Sequence, residues 1–465
     1  MALSHDLVVV GGGPGGYVAA IRAAQLGQRV ALIERAELGG VCLNWGCIPT
    51  KALLRSAEVW SSLSHARSYG LSVATLEFDL ERIVQRSRGA ARRLSQGIDH
   101  LMRKHQIEVI RGEPALLGAG RLGATLTDGK SRELAARDII LATGARPREI
   151  PGVIADGKQV WTYRDAMVPA ELPKSLAIVG SGAIGVEFAS FYRDFGCEVV
   201  LLEMQDRILP VEDEEVASFA RQAFEKRGVK IVTSAQLQGI DRNPGEVTVR
   251  YTVAGQIRTL AVERVLLAIG ITGNTEMAGL RESGVRIERG HLVTDEWGHT
   301  GVAGLWAIGD LTGPPWLAHK ASHEGIVAVE KMRGLAEVEP LARGNIPACT
   351  YCRPQIASVG LTEKAAREAG YTLKIGKSPA AANGKAIALG EPQGFVKTIF
   401  DADTGELLGA HMIGEEVTEL VHGFAIARTL EATDAELART VFPHPTLSEM
   451  MLESVLSAQG RGIHY

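Results

Sequence analysis

Cys42 and Cys47 lie five positions apart in the run Gly39-Gly40-Val41-Cys42-Leu43-Asn44-Trp45-Gly46-Cys47-Ile48-Pro49-Thr50-Lys51. Two thiols at that spacing, just downstream of a glycine-rich turn, have the chemistry of a disulfide that breaks and reforms during turnover. Five residues of regular helix rise about 7.5 Å, at ~1.5 Å per residue, whereas a disulfide spans Cα atoms no more than about 7 Å apart. The pair can therefore bridge only where the first helical turn is distorted, and Gly46 gives the backbone that freedom. A distorted, exposed disulfide is a reducible one. A helix N-terminus also lowers a thiol pKa and favours the thiolate. The competing reading is a pair of packed structural thiols, the usual fate of free cysteine; the neighbouring nucleotide signature favours the redox reading.

His444 is the second candidate. It lies in Phe442-Pro443-His444-Pro445-Thr446-Leu447-Ser448-Glu449, ahead of a helix expected to run to about Ser457. The two prolines fix the backbone around the imidazole. Thr446 to Glu449 reads as a capping box. Glu449 can equally orient the His444 ring and raise its basicity, as an acid does in a catalytic triad. The residues alone leave both readings open, and the two can coexist. A further pair, Cys349 and Cys352, has CxxC spacing. No second Cys or His pair completes a zinc site, so no metal is expected and a structural role is favoured. Cys197 reads as packing.

Two strand–turn–helix–strand units position these groups. The first runs Val8-Val9-Val10-Gly11-Gly12-Gly13-Pro14-Gly15-Gly16, a helical stretch to Leu26, then Val30 to Glu34. The second runs Ala177-Ile178-Val179-Gly180-Ser181-Gly182-Ala183-Ile184-Gly185, a helix, then Val199 to Glu203. The offset is constant: Gly11 pairs with Gly180, Gly27 with Gly196, and Glu34 with Glu203. Such glycines let backbone N–H groups approach a pyrophosphate at a helix N-terminus, and the terminal acid accepts from ribose hydroxyls. One glycine fingerprint is an ordinary tight turn as often as a site. Two complete, ungapped copies point to two dinucleotides. Glu203 followed by Met204-Gln205-Asp206 would repel a 2′-phosphate, so NAD is favoured over NADP at the second unit. Arg207 is the nearby cation, and a solvated surface role is expected for it.

A chain of 465 residues exceeds one hydrophobic core and implies several domains. A formal net charge of −4, with no basic tract, argues against nucleic-acid binding. No apolar run approaches the ~20 residues of a membrane span. The opening Met1-Ala2-Leu3-Ser4-His5-Asp6 has no signal-peptide pattern. Five cysteines in so long a chain do not make a secreted disulfide framework. A cytoplasmic location is expected, with a mitochondrial matrix protein as the alternative.

With these residues in view, the chain resembles the flavin-dependent pyridine nucleotide–disulfide oxidoreductases, and among them those that oxidise dihydrolipoyl thiols. The resemblance runs essentially from end to end. It rests on Cys42–Lys51, Ala142-Thr143-Gly144-Ala145, Gly182–Glu187, Ala307-Ile308-Gly309-Asp310, Ala318-His319-Lys320, and His444-Pro445-Thr446 with Glu449. It implies an α/β fold of two Rossmann-like dinucleotide-binding domains plus a C-terminal α+β dimerisation domain. With periodicity, it sets an FAD-binding domain at 1–145, an NAD-binding domain at 146–270, a central segment completing the FAD site at 271–346, and an interface domain at 347–465.

The resemblance further implies FAD held by Gly11, Gly13, Gly16, Glu34, Lys51, Thr143, Gly144, Ala145, Asp310, Ala318 and His319. It implies NAD held by Gly180, Gly182, Gly185, Glu187, Glu203, Leu237 and Gly270, with Lys51 and Glu187 paired at the flavin N5 edge. Cys47 would lie against the flavin and Cys42 would exchange with substrate. A homodimer is implied, in which His444 of one protomer, backed by Glu449, serves the cysteine pair of the other. The implied partners are the lipoyl domains and the subunit-binding domain of a dihydrolipoamide acyltransferase core, the subunit-binding domain docking on the dimer's two-fold surface.

Other disulfide reductases share the cysteine logic. Glutathione reductase should prefer NADPH, against Glu203. Mercuric reductase would need a second cysteine pair in the tail Ser457–Tyr465, which has none, and a soluble transhydrogenase would lack Cys42 and Cys47. Two features depart from the family's common pattern: the Cys349/Cys352 pair, and Ile271-Thr272-Gly273-Asn274 where an Arg-Pro turn is usual.

Overall fold

The computed structural model describes residues 4–464, so the end residues Met1–Leu3 and Tyr465 touched on above lie outside it. The chain divides into two compact units. The first comprises the chain up to Leu53, Asp79–Glu149 and Gly270–Leu341; the second comprises Leu54–Phe78, Ile150–Ile269 and Ala342 onward.

The first unit is built on β1 (His5–Val10), α1 (Pro14–Gln25) and β2 (Val30–Glu34). The continuous apolar run of β1 suits a strand covered on both faces. It pairs in parallel with β2, Val10 opposite Ile33. Gly40–Trp45 forms α2, Cys47–Ser64 forms α3, and Leu80–Lys104 forms the long α4. Strands β3 (Glu108–Gly118), β4 (Arg121–Leu126) and β5 (Ser131–Leu141) follow. β3 pairs in parallel with β2, then turns into an antiparallel meander with β4 and β5. β5 returns beside β1, Val10 opposite Leu141, and Leu305–Ala307 adds a further parallel strand to β5. The C-terminal ends of β1 and β5, Val10 and Leu141, therefore reach the same edge of the sheet.

The second unit repeats this plan. Its parallel sheet runs Lys230–Val232, Glu198–Leu202, Ser175–Val179, Arg264–Leu267, Val160–Trp161. The helix Ala183–Asp194 buries Val186, Phe188, Phe191 and Tyr192, so it is packed on more than one face. Truncating Phe188 to Ala would cost about 3–5 kcal/mol. The same unit carries a five-stranded antiparallel sheet in the order Ala348–Thr350, Gln355–Gly360, Leu407–Gly414, Phe395–Asp401, Leu373–Pro379. Val417–Thr429 and Glu449–Ala458 pack on that sheet around Phe400, Met412, Phe424 and Val455. Among the described residues no helix is long and apolar enough to cross a membrane, and no cluster of His, Cys, Asp or Glu could hold a metal ion.

The glycines of the two turns are fixed by close approach. A Cβ on Gly16 would lie 1.8 Å from Gly11 O, and one on Gly185 would lie 2.0 Å from Gly180 O. A Cβ on Gly11 or Gly180 would meet the Ala142 or Ala268 carbonyl at 2.2 and 2.4 Å, at φ of +105° and +101°. The duplication in sequence is thus a duplication of the same steric demand.

Candidate active site

Cys42 and Cys47 are joined in a disulfide with a Cα–Cα distance of 4.8 Å. The expected distorted helical turn is instead a break between two helices: α2 ends at Trp45, Gly46 interrupts it, and Cys47 opens α3. The break brings the Cα atoms well inside the separation that continuous helix would impose. Lys51 lies one helical turn beyond Cys47, on the same side of α3.

The redox segment is fastened to the first glycine turn. Gly39 N–H donates to Gly12 O at 2.8 Å. A Cβ on Gly40, at φ +57°, would lie 2.7 Å from Gly13 Cα. Buried Asn44 spans the loop, donating from Nδ2 to Leu38 O at 2.9 Å and Gly40 O at 3.0 Å. From the other side α4 braces the segment. Ser87 Oγ donates to Pro49 O at 2.9 Å and Ser95 Oγ to Leu38 O at 2.8 Å. Arg88 donates to Asn44 O, and its guanidinium lies 4.1 Å from the Trp45 ring centroid. Nothing in the local pattern marks Arg88. Its contact joins elements far apart in sequence.

Glu34 and Glu203 do matching work. Glu34 Oε2 accepts from Gly12 N–H at 2.7 Å and Oε1 from Ala36 N–H at 2.7 Å. Glu203 Oε2 accepts from Ser181 N–H at 2.9 Å and Oε1 from Gln205 N–H at 2.8 Å. Both acids therefore organise the turn itself, and a carboxylate has about four lone-pair sites, so capacity for ribose hydroxyls remains. Arg207 pairs with Glu214 at 2.6 Å.

The two turns fit dinucleotides on their own geometry. Helices α1 and Ala183–Asp194 begin at Gly13 and Gly182 with no side-chain cap and no acid in the first turn. A Cβ on Gly182 would meet nothing within 4 Å, and one on Gly13 only Gly40 Cα at 4.0 Å. Protein packing does not demand glycine at either position; close approach of a pyrophosphate to uncapped N–H groups does. Leu237 sits at a register shift in the antiparallel pairing of Gln236–Asn243 with Glu246–Val253. Gly270, at φ +99°, opens the return to the first unit.

Across the first unit, Thr143 and Gly144 are clasped by Asn274. Its side-chain Nδ2 donates to Thr143 O at 2.8 Å, its backbone N–H donates to Gly144 O at 3.0 Å, and Thr143 Oγ1 donates to Asn274 O at 3.0 Å. Asn274 thus holds the Thr143–Ala145 turn, a role the sequence reading did not assign. Asp310 lies in the turn Gly309–Thr312, and burial pushes its carboxyl up to about 6 against the opposing pull of Lys320. Buried Lys320 donates to Gly309 O at 3.1 Å and Gly313 O at 3.0 Å and pairs with Glu324 at 3.1 Å, fixing that turn from beneath. Ala318 and His319 open the helix Ala318–Met332. A desolvated carboxylate beside uncapped backbone donors suits a ligand rich in hydroxyls and phosphate.

In the second unit, His444 Nδ1 lies 3.0 Å from Glu449 Oε1 while the imidazole stays largely exposed. Glu449 Oε2 accepts from Thr446 N–H at 2.9 Å, which holds its carboxyl below the usual range. Only this half of the expected capping box forms. The helix starts at Glu449 behind Ser448, and the Thr446 hydroxyl turns back to donate to Pro443 O at 2.7 Å. Glu187 is buried, and its Oε1 accepts from Tyr351 N–H at 2.9 Å. Cys349 and Cys352 are free thiols; Cys352 is buried, which pushes its pKa far up. Burial also lifts Cys197 to about 12, an inert thiol.

Family models match almost the whole chain. Pyridine nucleotide-disulphide oxidoreductase matches residues 5–325, and pyridine nucleotide-disulphide oxidoreductase, dimerisation domain, matches residues 346–455. The dihydrolipoyl dehydrogenase of Zymomonas mobilis subsp. mobilis is 53% identical over 466 residues, spanning 100% of each chain. That of Rhizobium etli is 51% identical over 481 residues, spanning 99% of each. Among solved structures, LpdA from Mycobacterium tuberculosis is similar with a TM-score of 0.90 at 30% identity, covering 97% of this chain and 98% of that one.

Proposed function

Because the chain belongs to the pyridine nucleotide-disulphide oxidoreductase family, we propose that it oxidises protein-bound dihydrolipoamide to lipoamide, with FAD as bound cofactor and NAD as acceptor. One observation carries this reading: the Cys42–Cys47 disulfide is fastened through Gly39 to the glycine turn closed by Glu34. A dithiol substrate, a protein disulfide and a dinucleotide turn then form one line of electron flow.

The residues divide the work as follows. With Nδ1–H donating to Glu449, His444 keeps the Nε2 lone pair and takes a proton from the first substrate thiol. The resulting thiolate attacks Cys42 Sγ, and Cys47 leaves as thiolate. His444 releases its proton to solvent and takes the proton of the second substrate thiol, whose thiolate attacks the substrate sulfur of the mixed disulfide and releases Cys42 as thiolate. The substrate has then lost two electrons and two protons, and the cysteine pair has gained the two electrons. When bound, FAD supplies the two-electron relay from dithiol to NAD, which no side chain here can provide.

FAD is assigned to Gly11, Gly13, Gly16, Glu34, Lys51, Thr143, Gly144, Ala145, Asp310, Ala318 and His319. NAD is assigned to Gly180, Gly182, Gly185, Glu187, Glu203, Leu237 and Gly270. The domain bounds 1–145, 146–270, 271–346 and 347–465 follow the same assignment. The dimerisation domain at 346–455 supports a homodimer, with His444 serving the partner protomer's cysteine pair. The proposed setting is the cytoplasm, in a complex whose acyltransferase core supplies the lipoyl domains. A substrate panel tests the reading: dihydrolipoamide with NAD should turn over, and glutathione disulfide with NADPH should not.

A further inference from the structure

The outer face of α4 carries a charge imbalance that the reaction described above does not use. Its 25 residues include Arg82, Arg86, Arg88, Arg92, Arg93, Arg103 and Lys104, against only Glu81 and Asp99. Long exposed helices ordinarily intersperse acids at i+4 to offset such charges. Here Glu81 accepts from Gln85 and Asp99 pairs with Arg111. Among the described residues, Arg82, Arg92, Arg93, Arg103 and Lys104 are exposed and form no ion pair. Chain composition does not explain the excess, because the protein as a whole carries −4.

Helical spacing aligns the cations. Arg82, Arg86, Arg93 and Lys104 share one side, with Arg92 and Arg103 flanking it, while Ser87, Ala91, Ile98 and Met102 form the buried face. From Arg82 to Lys104 the stripe extends about 33 Å at ~1.5 Å per residue, the width of a small domain. The opposite side of the same helix holds the redox segment through Ser87, Arg88 and Ser95.

We infer that this stripe is the docking surface for an acidic protein domain that presents the dithiol. The inference rests on the proposed dihydrolipoamide activity and adds the recognition of the substrate's carrier. Charge complementarity selects an acidic partner, and a domain seated on the stripe is separated from the redox segment by the thickness of this one helix, a span for the dithiol-bearing arm to cross. A uniform basic stripe raises the encounter rate of an oppositely charged macromolecule and does little for a small neutral dithiol.

The test compares kcat/KM of the FAD-loaded enzyme for two substrates, free dihydrolipoamide and a reduced, acidic lipoyl domain. It uses the variant R82E/R93E/K104E and the neutral R82Q/R93Q/K104Q. The charge-reversed variant should lose about tenfold or more toward the lipoyl domain, and the neutral variant should lose less. Both should keep wild-type turnover of free dihydrolipoamide. The wild-type rate with the lipoyl domain should fall as salt rises, and the reversed variant's should not. Equal rates with both substrates in every variant, or equal losses with both, would overturn the inference. So would loss of binding to phosphatidylglycerol vesicles with the lipoyl-domain rate unchanged, which would make the stripe a membrane surface. If wild-type enzyme oxidises neither substrate, the functional reading fails, independently of this inference.

Discussion

Glu449 binds His444 and Thr446 at once, Oε1 to the imidazole Nδ1 at 3.0 Å and Oε2 to the Thr446 N–H at 2.9 Å. The backbone contact fixes the carboxylate, and the fixed carboxylate aims the ring. Replacing His444 with Gln should lower kcat with dihydrolipoamide by about 10²- to 10⁴-fold. Glu449→Gln should give a smaller loss, expressed in kcat more than KM, because the ring keeps its place in the chain but loses its orienting charge. A Glu449→Gln enzyme with unchanged kcat would leave the pair a helix-start contact only.

Gly182 and Gly185, in the turn proposed to hold NAD, should separate steric from ligand demands. A Cβ at position 182 meets nothing within 4 Å, so Gly182→Ala should fold with a near-native melting temperature. Its KM for NAD should rise several-fold, since the methyl group would stand where a pyrophosphate approaches. Gly185→Ala puts a Cβ 2.0 Å from Gly180 O and should destabilise by about 1–3 kcal/mol, read as a lower unfolding midpoint. Matching behaviour of the two variants would refute this division.

Arg88 should matter for the stability of the redox loop. It donates to Asn44 O and covers the Trp45 ring at 4.1 Å. Arg88→Ala should cost about 2–3 kcal/mol from the lost charged hydrogen bond and cation–π contact. Amide exchange across residues 40–52 should accelerate more than in the core strands. Uniform exchange in the variant would argue against a local brace.

Glu212 provides a pH signature. It is buried, with Asp213 adjacent, and burial raises its carboxyl from 4.5 to about 7. A raised native pKa means the native state binds the proton more tightly than the unfolded chain. That contribution is intact below pH 4.5 and is lost as pH rises through about 7. Glu212→Gln removes the burden of ionisation. At ~1.36 kcal/mol per unit, the variant's gain should be negligible in acid and reach a few kcal/mol in mild alkali. A gain independent of pH would contradict the assignment.

Much of the site was legible because it depends on local pattern. The glycine spacings, the terminal acids Glu34 and Glu203, and the Cys42/Cys47 pair each act within one turn or one strand–helix unit. What was illegible depends on contacts between distant segments. Asn274 holds Thr143 and Gly144, Arg88 reaches Asn44 and Trp45, and Lys320 supports the Asp310 turn. The helix break at Gly46 was anticipated only as a distortion, because spacing shows that continuous helix fails without showing what replaces it. The Thr446 capping box half failed because the helix starts at Glu449 behind Ser448, so Thr446 does not stand at its N-cap. Trp60 stacks on Phe195 at 5.9 Å and meets Phe78 at 5.0 Å. Long-range aromatic packing of this kind groups residues 54–78 with the second unit, and no periodicity announces it.

The most direct measurement is anaerobic mixing of FAD-loaded enzyme with dihydrolipoamide and NAD, for wild type and Cys42→Ser at equal bound flavin. The wild type should form NADH, and Cys42→Ser should form it more than about 10³-fold more slowly. A Cys42→Ser enzyme that makes NADH from dihydrolipoamide at the wild-type rate would contradict the disulfide route.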